Sequence, residues 1–124
     1  MGKITKKTSF SIGKPGEFIT DSEAVYISDN YSEVRVPAGF PTDFASIPHW
    51  VPRWLFDPMR HARWAALFHD YLCKQANSYK ERVAADHVFL ECMTDQKVKS
   101  WRRYTMFSAV RANTYRMRIM RYWK

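Results

Sequence analysis

Six residues of this chain combine acid, base and hydrogen-bonding chemistry in otherwise apolar surroundings: Asp43, Ser46, His69, Asp70, Arg82 and Asp86. On a helix, His69 shares a face with Ala65, Ala66 and Leu72, and Asp70 shares one with Ala66 and Leu67. Asp86 stands one turn after Arg82 and one turn before Phe89 and Leu90. Small alanines beside His69 allow another backbone to come close. A charge taken out of water is costly unless it is paired, hydrogen-bonded or bound to a metal. These residues are therefore expected to meet one another.

Two arrangements satisfy that requirement. In the first, Asp43, His69 and Asp86 ligate a divalent cation. Imidazole and carboxylate together suit Zn, Mn or Fe, and an open coordination position would activate water for hydrolysis. Asp70 is then a further ligand or general base, Arg82 orients or binds an anion, and Ser46 adds a hydrogen bond. Phosphoester and cell-wall amide bonds are the substrates considered. In the second, Arg82 pairs with Asp86 or Asp43 and His69 donates to a carboxylate, which locks the fold without any reaction.

Other chemistries find less support. Ser46 lies outside a G-x-S-x-G elbow. GKPG at 13–16 lacks the Lys-Ser or Lys-Thr of a phosphate-binding loop and reads as a hairpin turn. Cys73 and Cys92 form no CxxC pair and read as buried, reduced thiols.

The elements that must position these groups follow from periodicity and punctuation. Residues 1–40 read as strands: EFITDSEAVYISD is broken at Thr20-Asp21-Ser22, and YSEVRV alternates with a period near two. A small antiparallel sheet or meander is expected. Residues 37–58 hold five of the six prolines and form a stiff loop, with a short helical turn over His49–Phe56. A first helix is expected from Asp57-Pro58 to about Gln75. Ser78 and Glu81 make a capping box that opens a second helix through ERVAADHVFLECM. Ser100 caps a third, from Trp101 to about Tyr122, with an interruption near Asn113-Thr114. The fold class is α+β: an N-terminal antiparallel sheet, a proline-rich loop, then three helices in one domain.

The 124 residues suffice for one core, and 46% hydrophobic and 16% aromatic content suits a packed globule. The formal charge of +8 is unevenly distributed. Beyond residue 95 stand Lys97, Lys99, Arg102, Arg103, Arg111, Arg116, Arg118, Arg121 and Lys124 with no acid. This C-terminal element is expected to meet nucleic acid, an anionic membrane or an acidic partner through Arg111, Arg116, Arg118, Arg121 and Trp123, or a second copy of the chain. As a packed helix it would bury Tyr104, Phe107 and Val110 and keep its arginines in water. The opening MGKITKKTSF has charges but no apolar stretch, and no run is long enough to span a bilayer, so a cytoplasmic protein is expected.

VRVPAGFPTDFASIP at 34–48, FHDYL at 68–72, ERVAADHVFLECM at 81–93 and RRYTMFSAVRANT at 102–114 resemble a bacteriophage and prophage family, domain-of-unknown-function family 1353. The resemblance covers roughly residues 30–114. It implies a small phage-type protein; the cytoplasm expected above is then the host's, and a host protein joins the candidate partners of the C-terminal basic element. It marks Thr42, Asp43, Ser46, Pro48, His69, Asp70, Arg82, Ala85 and Asp86 as family-pattern positions, and it carries no reaction. Cys73 stands where the pattern prefers Tyr, and Asn113 stands near a usual Gly.

Overall fold

The computed structural model describes residues 2–15, 17–29, 31–42, 52 and 62–121. Six short strands come first: β1 (Lys3–Lys6), β2 (Phe10–Ile12), β3 (Phe18–Thr20), β4 (Ala24–Ile27), β5 (Val34–Val36) and β6 (Pro41–Thr42). Three helices follow: α1 (Arg63–Gln75), α2 (Tyr79–Asp95) and α3 (Ser100–Ile119). The α+β class holds. The expected N-terminal antiparallel strands form, divided into two three-stranded sheets in the orders β1-β4-β5 and β2-β3-β6. Consecutive β3 and β4 thus lie in different sheets, and Thr20-Asp21-Ser22 carries the chain between them. Asp21 accepts from Ser9 Oγ (2.6 Å) and Ser11 Oγ (2.5 Å), and its own N donates to Ser9 O at 3.0 Å, so side chains and backbone together hold the crossing. The hairpin read at GKPG does form: β2 and β3 pair, and Gly13 N donates to Glu17 O at 3.0 Å.

β4 is the middle strand of its sheet, and Ala24, Val25 and Tyr26 are all buried. Tyr26 and Phe68 rings lie 5.5 Å apart, joining this sheet to α1. The Tyr26 hydroxyl donates to Asp95 Oδ2 (2.6 Å) and Ser28 Oγ donates to Glu91 Oε1 (2.5 Å), which ties the end of β4 to α2. Burial, and then that acceptor, raise the Tyr26 phenol well above its ordinary pKa.

α2 lies between α1 and α3 and packs on both. Its buried residues Arg82, Ala85, Asp86, Phe89, Cys92 and Met93 recur at three and four, as one core-facing stripe requires. α1 is buried without a break from Ala65 to Asp70, because the sheet covers one side and α2 the other. Leu67 and Phe68 are fully buried, and each contributes about 2 kcal/mol. α3 buries only Met106, Ala109, Val110 and Thr114.

The helix boundaries are partly as expected. Ser78 Oγ accepts from Glu81 N at 3.2 Å, and the Glu81 carboxylate accepts from Asn77 N, so the box starts α2. α2 ends in a Schellman-type closure in which Lys97 takes a positive φ of 59° and Val98 N donates to Met93 O. Three expectations are corrected. α1 begins at Arg63, because Ala62 has a non-helical backbone; the Asp57-Pro58 start and the His49–Phe56 turn lie outside the described residues. Ser100 lies inside α3 and Lys99 holds the cap position, with no side-chain cap bond. α3 runs unbroken through Asn113 and Thr114 and closes at Ile119, because the Thr114 hydroxyl finds its acceptor on α2 and does not compete for its own backbone.

Candidate metal centre at the helix joint

Asp86 is the meeting point of all three helices. Its place in the middle of α2 lets one carboxylate face α1 on one side and α3 on the other. From α1, His69 Nε2 lies 2.8 Å from Asp86 Oδ1. From α3, Thr114 Oγ1 donates to Asp86 Oδ2 at 2.6 Å and Arg111 donates to the same oxygen at 3.2 Å. His69 and Asp86 are both fully buried. A carboxylate only accepts, so His69 carries its proton on Nε2 in this arrangement. Burial lowers the His69 pKa despite the stabilising Asp86 charge, and the imidazole is neutral at pH 7. Its ring stacks on Phe89 at 4.7 Å.

Cys73 completes the group. It follows His69 by one helical turn, and its Sγ lies 3.4 Å from His69 Nε2. The ligand-capable atoms of His69, Cys73 and Asp86 all fall within 4.8 Å of one another. Burial pushes the Cys73 thiol up to about 12, so it is protonated when no cation is bound. From sequence alone Cys73 is expected only as a buried, reduced thiol. The signal was its i+4 spacing from His69, which becomes informative only once α2 brings a carboxylate opposite.

Asp70 points elsewhere. Its Oδ2 accepts from Thr42 Oγ1 at 2.5 Å and lies 3.4 Å from Lys74 Nζ. Lys74 also donates to Pro41 O at 3.2 Å, and Phe40 meets Tyr71 edge-on at 5.2 Å. These contacts clamp β6, the entry to the proline-rich segment, onto α1. Asp43 and Ser46 lie outside the described residues, as does Trp123.

Arg82 is buried on the same stripe as Asp86, yet the expected pairing between them is absent. Arg111 occupies that carboxylate, and Arg82 Nε has no hydrogen-bond partner among the described residues. The remaining basic residues divide. Arg111 turns inward and also donates to the Tyr79 hydroxyl at 3.4 Å, which lowers that phenol's pKa. Arg118 covers the Tyr79 ring at 4.6 Å, Arg116 binds Asn113 Oδ1 and Arg121 is exposed. Tyr104 was expected in the core and is 55% exposed, because the buried stripe of α3 is too narrow to include it; Val110 is buried and Phe107 is half-buried against the core.

The family described as "Protein of unknown function (DUF1353)" matches residues 18–110. The chain belongs to the DUF1353 family. No curated protein and no solved structure matches it. The DUF1353 match takes in His69, Cys73, Arg82 and Asp86 but ends before Arg111 and Thr114, the α3 partners of Asp86. Among the described residues of this DUF1353 protein, no helix is long and apolar enough to cross a membrane.

Proposed function

We propose that this DUF1353 protein uses the joint between its helices as a divalent-metal site for hydrolysis. The observation that carries the reading is the convergence of imidazole, thiol and carboxylate from His69, Cys73 and Asp86 within 4.8 Å. A thiolate ligand favours zinc or iron over manganese. Tetrahedral ligation spaces donor atoms by about 3.3 Å, so the His69–Asp86 contact must open by a few tenths of an ångström. His69, with its proton moved to Nδ1, and Cys73, as the thiolate, would hold the cation, so loading would release the thiol proton. Asp43, next in sequence to Thr42, is the proposed further ligand, and Ser46 a hydrogen-bonding neighbour. Asp70, engaged with Thr42 and Lys74, acts by positioning that segment. The metal would lower the pKa of a bound water and supply the nucleophile.

The resemblance to phage and prophage proteins supports a place in the host cytoplasm. Metal content of the purified protein and thermal melts with and without chelator test the site. Bound zinc or iron, lost in Cys73→Ala and His69→Ala, is expected; no metal and no melting shift across several cations would end the reading.

A second reading has its own support. Both oxygens of Asp86 already have partners, which suits a purely structural joint, while the outer face of α3 exposes Trp101, Tyr104, Tyr115 and Ile119 amid cations. An interaction protein would use that face, with Arg116, Arg118 and Arg121, against nucleic acid, a host protein or an anionic membrane. Labelled oligonucleotide titrated at two salt concentrations tests the nucleic-acid form, and absence of binding at low salt removes it.

A further inference from the structure

Arg82 is 6% exposed, on the middle helix, one turn from Asp86. Its Nε has no hydrogen-bond partner among the described residues. Among the described residues, the two carboxylates of the joint are committed: Asp86 to His69, Thr114 and Arg111, and Asp70 to Thr42 and Lys74. Among the described residues, no ion pair includes Arg82. It stands one helical turn before Asp86 on the same buried stripe of α2, which places it beside a candidate metal ligand. A guanidinium cannot shed its proton, so burial without a counter-charge is a standing cost. Lysine, alanine or leucine would each avoid it.

We infer that Arg82 is the receptor for a phosphoryl group, and that the substrate of this site is a phosphoester rather than an uncharged cell-wall amide. The guanidinium presents donors in a planar fork that matches phosphoryl oxygens, and a bound anion supplies the counter-charge that no described residue gives Arg82. A neutral amide would leave the cation uncompensated. The inference deepens the metal-assisted reading and rests on it for the reaction, while binding of the anion stands on Arg82 itself. In the reaction, water's oxygen bonds to phosphorus as the ester P–O bond breaks. One water proton passes to solvent or a neighbouring base, and the departing oxygen takes up a proton as the alcohol leaves. Arg82 holds the non-bridging oxygens throughout.

Inorganic phosphate is titrated into the full chain, loaded with zinc and metal-free, with calorimetry and melting temperature as readouts and metal content measured in parallel. The wild type is expected to bind phosphate and melt higher. Arg82→Gln should weaken phosphate binding about tenfold or more while retaining its zinc, and Arg82→Lys should fall between. Phosphate without effect on the wild type overturns the inference whatever the variants do, and so does equal binding by wild type and Arg82→Gln. Arg82-dependent phosphate binding in a protein that takes up no zinc leaves the anion site standing and removes the metal reading instead.

Discussion

The two faces of α3 carry the same kinds of residue to opposite ends. On the inner face, Thr114 and Arg111 reach Asp86 and are held by a buried carboxylate. On the outer face, Trp101, Tyr104 and Tyr115 stand in solvent, with arginines lying on their own helix's rings, as Arg102 does over Trp101 at 4.4 Å. Arginines that look interchangeable along RRYTMFSAVRANTYRMR are therefore different parts. Arg111 has a fixed partner across a helix interface; Arg116 binds Asn113 on its own helix. A charge contributes to stability where water is excluded and a partner is set, and contributes little where both are free.

The largest test of that contrast removes its hub. Asp86→Ala leaves Arg111, His69 and Thr114 without their acceptor, and is expected to cost about 3–5 kcal/mol in denaturant unfolding. Asp86→Asn, which keeps two acceptor sites on one oxygen, should cost less. Next, Arg111→Ala should lose about 1–3 kcal/mol by removing a charged hydrogen bond to a buried oxygen. Arg116→Ala should stay within about 0.5 kcal/mol, and equal losses from the two would erase the distinction between the faces.

Acid gives a third test. His69 is held neutral because burial lowers its pKa below the ordinary 6.5, whereas the unfolded chain takes up a proton near that value. The unfolded state then binds more protons, so stability is flat above about pH 6.5 and falls as pH drops below it, by at most about 1.4 kcal/mol per unit for this group. Melting temperatures at about pH 7.5 and 5.5 should show the loss, and His69→Gln should flatten it. The smallest expected change runs the other way. Arg82→Met, which keeps the stem and discards a charge with no ion-pair partner among the described residues, should raise stability by about 1 kcal/mol in phosphate-free buffer. A clear loss would mean that the guanidinium has a structural partner.

Much of the architecture could be read along the chain. The change from period-two to period-three-and-four patterning set strands before helices, GKPG made its hairpin, and Ser78 with Glu81 opened α2, because each of these depends on neighbours within a few residues. The division into two sheets could not be read, since β4 pairs with β1 rather than with β3, its neighbour in sequence, and no local pattern marks that choice. The start of α1 was displaced for a similar reason: Asp57-Pro58 is a good local start, but Ala62 departs from helical backbone.

The candidate site divides along the same line. That His69, Asp70, Arg82 and Asp86 are polar residues on apolar stripes follows from helical spacing, and burial of all four agrees with it. Which of them face each other was decided in three dimensions. His69 and Asp70 are adjacent in sequence, and a turn of about 100° per residue sends one toward α2 and the other toward β6. Asp86 chose Arg111, 25 residues away, over Arg82 one turn behind it. Composition and spacing determine that charges must be buried, because hydrophobic stripes carry them inward. Only packing determines their partners, because a hydrogen bond needs donor and acceptor within about 3 Å and a chain order cannot supply that distance between helices.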